Sequence, residues 1–225
     1  MNGITTEIRD AVLAALLPNI PFDGWSTRAL RQAVARVGLD PAEAASLFPA
    51  GPRDAVAWFS HWADRQTMAA LDPTALAGMK IHERVATAVE VRLRILAPRR
   101  EAVRRSLALL SEPQNLPLGA RLLYDAVDAI WYAAGDRATD FNFYTKRALL
   151  AGVYAATTLY WLDDRSEGSI DTHAFLERRI GDVMRIPPLS ARLREWTGLL
   201  PNPFLLIRLA RRGLENRPDP GAARN

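Results

Sequence analysis

The chain has 225 residues, of which 49% are hydrophobic and none is cysteine. This length allows one large or two small domains, and the lack of cysteine excludes disulfides, thiolate chemistry and zinc–thiolate sites. The formal net charge of +4 is modest, so its distribution along the chain is more informative than its sum. The longest uncharged run, residues 148–162, is too short and too polar for a membrane span and is typical of a buried helix.

Helical periodicity dominates, and the first fifty residues predict three short helices. The first covers residues 6–17, and the second follows Trp25 with Ser26 or Thr27 as its N-cap. The third begins at Asp40-Pro41-Ala42-Glu43, where a capping acid, a proline and a second acid mark a helix start, and it ends near Phe48. Three such helices with a tight turn between the last two have helix-turn-helix topology.

The charge of residues 1–50, the head of the chain, does not favour DNA binding. Residues 1–50 carry four arginines and five acidic side chains, a net charge of −1. The third helix, which would read the bases, contains no Lys, Arg, Asn or Gln. Because affinity requires cations on phosphates and base readout requires polar donors and acceptors, no nucleic-acid partner is expected.

The sequence after residue 50, the body of the chain, predicts longer helices. They are separated by turns that contain proline, glycine and polar residues. Gly135 is expected to end one helix in the left-handed conformation, Thr139 or Asp140 to cap the next, and Asp171 to cap the last. The periodic segments cover residues 53–72, 81–96, 99–110, 118–134, 148–162 and 171–184.

The tail differs in composition from the body. Residues 197–214 predict an amphipathic helix with a broad apolar arc and arginines beside it, which favours binding to an anionic membrane surface. The alternative is that this helix packs on the body or on a second subunit. The predicted membrane-binding residues are Leu199, Leu200, Phe204, Leu205, Leu206, Arg208, Leu209, Arg211 and Arg212. Residues 215–225 are rich in proline and glycine and are expected to be disordered.

The sequence contains no recognisable catalytic or metal motif. His61, His82 and His173 lack the spacing of a metal site, and no P-loop, GxGxxG or GxSxG pattern occurs. We therefore expect no catalytic residue, no metal and no cofactor, and interpret the chain as a non-enzyme. Its predicted organisation is a head (1–50), a helical body (51–196), the amphipathic helix (197–214) and the tail (215–225).

The segment AGDRATDFNFYTKRALLA, residues 134–151, carries a resemblance to a known family. It is similar to the signature AGD-x-STDFNWYT-[RK]-RA-x-LA of the ninth Coq protein, an accessory family of ubiquinone biosynthesis. Phe143 replaces the usual Trp, and Ala138 replaces Ser. Further matches in order and spacing are Trp25 in FDGWS, residues 90–96, residues 115–117 and residues 175–179.

The resemblance implies an all-α, TetR-like helical bundle with a helix-turn-helix-like head, a lipid-binding body and a C-terminal membrane helix. It implies binding of an isoprenoid quinone or phospholipid and its presentation to demethoxyubiquinone hydroxylase. The family's partner-facing patch falls on Leu93, Ile130, Phe143 and Tyr144, with Lys146 and Arg147 beside it to meet acidic groups. Phe143 keeps an apolar anchor but lacks the indole N–H of Trp.

Two long apolar helices of the body are candidates to line an isoprenoid tunnel, and ordinary helix packing is the alternative. The predicted lipid-binding residues are Trp131, Leu149, Gly152 and Tyr154. With neither a signal nor a transit peptide recognised, we expect a cytoplasmic homodimer attached peripherally to the inner membrane, or a matrix-side protein if organellar. The alternative functions are a TetR-type ligand-responsive transcriptional regulator and a generic lipid carrier.

Overall fold

A computed structural model describes residues 3–135 and 142–184 of the chain. This part is all-α, with no strand among the described residues, as expected from the sequence. The predicted caps Thr139 and Asp140, the amphipathic helix 197–214 and the tail 215–225 lie outside the described residues, as do the side chains of Phe143 and Tyr144. None of the described helices is long and apolar enough to cross a membrane.

The described α-helices differ widely in length. The longest helices, α5, α9 and α10, all lie after residue 50, where the short helix α6 is also found. In chain order they are α1 (Gly3–Leu16), α2 (Ile20–Asp23), α3 (Thr27–Arg36), α4 (Ala44–Leu47), α5 (Pro52–Ala70), α6 (Pro73–Ala77), α7 (Ile81–Leu96), α8 (Arg100–Leu110), α9 (Leu116–Ala133), α10 (Asn142–Asp163) and α11 (Ile170–Met184).

Two predicted helix starts in the head are confirmed by their capping contacts. The Ser26 hydroxyl accepts the Ala29 N–H at 3.2 Å. Before α4, the Asp40 carboxylate accepts the Ala42 N–H at 2.8 Å, and the Glu43 carboxylate accepts the Asp40 N–H at 3.1 Å. Each contact satisfies an amide of the first turn that has no partner within the helix, so these starts are set by local sequence.

The prediction that Asp171 caps the last helix is wrong, because α11 begins one residue earlier and Asp164 does the capping. One carboxylate oxygen of Asp164 accepts the Ser166 N–H at 2.8 Å and the Ser166 hydroxyl at 2.6 Å. The other accepts the Thr172 N–H at 3.0 Å and the Thr172 hydroxyl. A carboxylate with two oxygens therefore holds the loop and the helix start together from within the preceding polar segment.

Replacing Asp164 by alanine is expected to lower the free energy of unfolding by about 1–3 kcal/mol, since it leaves buried donors unsatisfied. Burial acts to raise the pKa of this carboxyl, but hydrogen bonds from Ser166 and Thr172 outweigh it and lower the pKa to about 2. The unfolded value is about 3.9. The stabilisation is therefore present above about pH 4 and is lost as the pH falls towards about 2.

Urea unfolding of the wild type and of D164A at neutral and acid pH measures this effect. The matched control is D163A, because the Asp163 side chain is adjacent and 82% exposed. The capping role is contradicted if D164A and D163A unfold at the same urea concentration at neutral pH.

One buried apolar core runs through the described helices. The helices α1 and α3 pack on each other and on α5, which also packs on α7 and α9. Helix α10 packs on α9 and α11, and α11 also packs on α7. The largest fully buried side chains include Leu13, Leu16, Ile20, Leu30, Phe48, Ile130, Trp161 and Leu176. The proposed boundaries at residues 50, 196 and 214 remain predictions.

The helix α5 is bonded to α1 through Asp10. The Trp58 indole N–H donates to Asp10 Oδ1 at 2.7 Å, and the Arg65 guanidinium donates to both carboxylate oxygens at 2.6 and 2.9 Å. The Arg9 guanidinium lies over the Trp58 ring, 4.1 Å from its centroid. An ion pair, an indole hydrogen bond and a cation–π contact thus fix one face of α5 to the first helix.

Candidate functional site

A cavity of about 310 Å³ lies among α5, α7, α8, α9 and α10. This volume is at the lower end of pockets that hold a small organic ligand. Most of the lining is aliphatic or aromatic, and only six of the lining residues have polar side chains. The lining residues are Val56, Phe59, Ser60, Ala63, Arg92, Leu96, Val103, Ser106, Leu107, Leu110, Ser111, Gly119, Leu122, Leu123, Ala126, Tyr154, Ala155 and Thr158.

Small residues account for the space between these helices. Ala63, Ala126 and Ala155 line the cavity from three different helices, where larger side chains would fill it. At Gly119 a Cβ atom would lie 3.4 Å from Leu110 Cβ, so α8 and α9 approach closely there. The cavity is therefore bounded by a close approach of α8 and α9 at Gly119 and has alanines on three of its helices.

One charged cluster is buried in the cavity wall. The Arg92 side chain is 4% exposed and forms an ion pair with Asp64, whose side chain is 14% exposed. Its Nε donates to the Tyr154 hydroxyl at 2.7 Å, and its Nη2 lies 3.5 Å from two oxygens of Ser60. The guanidinium is thus held by α5 on one side and by α10 on the other.

Burial and ion pairing have opposite effects on the pKa values of Arg92 and Asp64. Burial opposes the charge of Arg92, but the Tyr154 and Asp64 oxygens outweigh it and raise the pKa of the guanidinium. Burial raises the pKa of the Asp64 carboxyl, and the attraction of Arg92 offsets part of that rise. The cluster combines one cation and one anion, so the wall of the cavity carries no net charge from this pair.

The hydroxyl groups that line the cavity differ in whether their protons have a hydrogen-bond acceptor. Ser106 donates to the Ala102 carbonyl at 2.8 Å, and Thr158 donates to the Tyr154 carbonyl at 2.8 Å. The Tyr154 hydroxyl accepts from Arg92 and donates to no acceptor among the described residues. Among the hydroxyls that line the cavity, those of Tyr154 and Ser60, which both accept from Arg92, donate to no acceptor among the described residues.

The four predicted lipid-binding residues do not lie together. Tyr154 lines the cavity, whereas Trp131, Leu149 and Gly152 are not among its lining residues. Trp131 and Leu149 are half-buried elsewhere, and Gly152 is exposed with open space around it. The assignment of these three residues to lipid binding stays a prediction, with no support from the cavity described here.

Two residues of the predicted partner patch are buried. Leu93 is 5% exposed and Ile130 is 1% exposed, and both belong to the apolar core. Leu93 also borders a second, more polar cavity of about 440 Å³ between α7 and α11. In this conformation neither side chain offers a protruding surface, and their role in a partner contact stays a prediction.

The two basic residues of the patch already have contacts within the chain. Arg147 is 5% exposed and its Nε donates to Asp128 at 2.6 Å. The Lys146 ammonium lies 5.7 Å from the centroid of the Trp131 ring. A partner that binds Lys146 or Arg147 would therefore compete with these internal contacts.

Arg92, Asp64 and the contributions of α5 and α8 to the cavity were not predicted from the sequence. A signal was present, since Arg92 follows Val85 by seven residues and Ala88 by four, which places a charge on the apolar face of α7. A charge on an apolar face indicates a buried partner. The position of that partner in α5 depends on how the helices pack.

The fold is that of a TetR-like protein. The crystal structure of a TetR transcriptional regulator from Nitrosomonas europaea ATCC 19718 superposes with a TM-score of 0.65, covering 80% of this chain and 99% of that chain. The sequences are 19% identical, so this likeness shows the fold alone. The chain thus belongs to the class of all-α proteins with a TetR-like fold, and it has an apolar cavity inside its helical body.

Within that class, the resemblance to the COQ9 family is confirmed. The COQ9 family model matches residues 116–187. The mitochondrial ubiquinone biosynthesis protein COQ9 of Rattus norvegicus is 35% identical over 187 residues, which are 80% of this chain and 60% of that protein. The Homo sapiens protein of the same name is also 35% identical and is covered to 58%. The chain thus spans about 60% of the length of these relatives.

Proposed function

We propose that this chain is a non-catalytic, lipid-binding accessory protein of ubiquinone biosynthesis. It binds isoprenoid quinone intermediates at the membrane and presents them to demethoxyubiquinone hydroxylase, which carries out the oxidation. The observation that carries the proposal is the cavity of about 310 Å³ with its largely apolar lining. An apolar cavity with few polar groups is the usual form of a site for an apolar ligand. The similarity to COQ9 proteins supports the pathway.

The ligand we propose is an isoprenoid quinone intermediate, with phospholipid as the competing occupant. A long isoprenoid is larger than the described cavity, so the tail extends beyond it or the helices separate to admit it. The predicted amphipathic helix 197–214 supplies the proposed membrane contact. The membrane we propose is the inner membrane, on the matrix side if this chain is organellar, and the relatives named as mitochondrial support an organellar setting.

A homodimer is the proposed assembly. Leu159 and Tyr160 of α10 are 59% and 40% exposed, and Ile170 of α11 is 66% exposed. The Tyr160 ring stacks on Phe175 of α11 with centroids 4.5 Å apart. Exposed apolar side chains on adjacent helices favour a protein contact, and this pair of helices ends the described body.

Lipid extraction tests the proposal. The full chain, purified from membrane-containing cells, is examined by native mass spectrometry, and its extracted lipids are identified. A quinone precursor or isoprenoid in near-stoichiometric amount is the expected result. An empty protein would overturn lipid presentation and leave a scaffold that acts through its surface.

Replacing both Phe143 and Tyr144 by aspartate is expected to weaken binding to the hydroxylase by at least about tenfold, as for loss of an aromatic anchor. Charges at an apolar contact cost desolvation without gaining a partner. Affinity capture with purified hydroxylase measures the change, and Y124D is the matched control, because Tyr124 is an exposed aromatic outside the signature. Unchanged hydroxylase binding by the double variant would remove this patch from the proposal.

The TetR-type regulator is the rival function. The head has a net charge of −1, and α4 contains no basic residue, so neither phosphate contacts nor base readout is provided there. A gel shift at low salt that showed tight, sequence-selective DNA binding would favour the regulator over the accessory protein.

A further inference from the structure

We propose that the cavity selects its ligand by one hydrogen bond, in which the Tyr154 hydroxyl donates to an uncharged acceptor oxygen at the head of an apolar molecule. The ligand class is thereby a quinone or other carbonyl-bearing ring, and an anionic headgroup is disfavoured. This inference rests on the proposed function, which it deepens by naming the head that the cavity takes.

Arg92 is the cation in the cavity wall. An anionic headgroup is normally bound by a cation with free N–H groups. Here the guanidinium already donates to Asp64, to Tyr154 and, at the longer distance of 3.5 Å, to Ser60. Because Asp64 compensates its charge, a phosphate in the cavity would be buried without a counter-charge, which is costly.

The buried donor that remains in the cavity lining is the Tyr154 hydroxyl. Tyr154 is 8% exposed, lines the cavity and accepts the Arg92 N–H at 2.7 Å. A phenol that accepts from a cation becomes a stronger donor, because hydrogen bonds in a chain polarise one another. Its proton has no acceptor among the described residues, so a ligand oxygen would complete the chain from Asp64 through Arg92 and Tyr154.

Selectivity among uncharged molecules depends on the other polar groups of the lining. Ser106 and Thr158 direct their protons to backbone carbonyls of their own helices. The remaining lining is mostly apolar and binds any hydrocarbon by burial alone. Ser60 also keeps its proton, but it is only half-buried, whereas Tyr154 is 8% exposed. The Tyr154 hydrogen bond is therefore the buried contact that separates a carbonyl-bearing ring from a hydrocarbon of equal size.

The experiment uses the delipidated full chain and calorimetric titration with three probes: a decyl-substituted benzoquinone, decylbenzene and decyl phosphate. Y154F removes only the hydroxyl. It is expected to weaken binding of the quinone about five- to tenfold and to leave decylbenzene binding unchanged. Y160F is the matched control, because Tyr160 lies on the same helix and is 40% exposed outside the cavity. Decyl phosphate is expected not to displace the quinone.

A second measurement reports the hydrogen bond directly. The infrared carbonyl stretch of the bound quinone should lie at lower frequency in the wild type than in Y154F. Equal quinone affinity and equal stretch in both proteins would overturn the inference and leave lipid binding intact. Displacement of the quinone by decyl phosphate would also overturn it. Failure of the wild type to bind either the quinone or decylbenzene would overturn the inference together with the proposed function of the cavity.

Discussion

Replacing Arg92 by methionine is expected to destabilise the folded chain by about 3–5 kcal/mol, because it leaves the Asp64 carboxylate buried without its cation. Methionine keeps most of the side-chain volume, so the loss reports charge rather than a cavity. Urea unfolding at neutral pH measures it. The matched control is R94M, two residues further along α7, since Arg94 is exposed and its replacement should change stability by less than about 0.5 kcal/mol.

The pH dependence of R92M has a definite sign. Burial already raises the pKa of Asp64, and removing Arg92 removes the attraction that offsets this. A carboxyl with a raised pKa in the folded state stabilises the fold at low pH, and that stabilisation is lost as the pH rises through the folded value. The deficit of R92M relative to wild type should therefore be smaller at about pH 5 than at about pH 8.

A double variant separates the stability contributed by the Arg92–Asp64 ion pair from the cost of leaving one charge unpaired. Replacing Arg92 by methionine and Asp64 by leucine removes both charges, and such exchanges are often neutral or stabilising. The double variant is thus expected to be more stable than R92M alone. Equal loss in R92M and R94M would contradict the buried ion pair, whatever the double variant does.

Replacing Ala155 by tryptophan is expected to reduce the lipid that copurifies with the chain by at least about tenfold, which corresponds to about 1.4 kcal/mol of binding free energy. Ala155 is half-buried and lines the cavity of about 310 Å³ from α10. An indole there occupies space that the ligand needs. Quantitative lipid extraction of the purified variant gives the measurement.

The matched control for A155W is A156W. Ala156 is also half-buried on α10, but it does not line the cavity. Both variants cost some stability through overpacking, about 1–3 kcal/mol, so thermal unfolding of each confirms that a folded protein is compared. Full lipid content in folded A155W would place the ligand somewhere other than this cavity.

Much of the helical architecture could be predicted from the sequence because its signals are local. Asp40 and Glu43 lie three residues apart and form the capping contacts that this spacing predicts. Gly135 adopts a φ of +87°, as expected for a residue that ends a helix in the left-handed region. The helix α6 was missed, since Asp72-Pro73 resembles a stop, yet Asp72 caps a new turn by accepting the Thr74 N–H at 2.8 Å.

The candidate site was harder to predict because it depends on which helices meet. The sequence indicated α9 and α10 as long apolar helices that could line a tunnel, and Tyr154 on α10 does line the cavity. The other walls come from α5, α7 and α8, whose apolar positions resemble ordinary core. Leu93 and Ile130 were assigned to the partner patch from a family motif, which gives the position of a residue in the chain but not its burial, and both are buried.

Helix α5 contacts both the cavity and α1, so a movement of α5 affects both. One face of this helix carries Phe59 and Ser60 into the cavity, and the other is tied to Asp10 of α1 through Trp58 and Arg65. A ligand that displaces α5 must also displace α1 or strain those bonds. By thermodynamic reciprocity, a molecule whose affinity for the head changes when the proposed lipid is bound would change the affinity for that lipid by the same factor. Binding at the head would therefore alter the release of the proposed lipid.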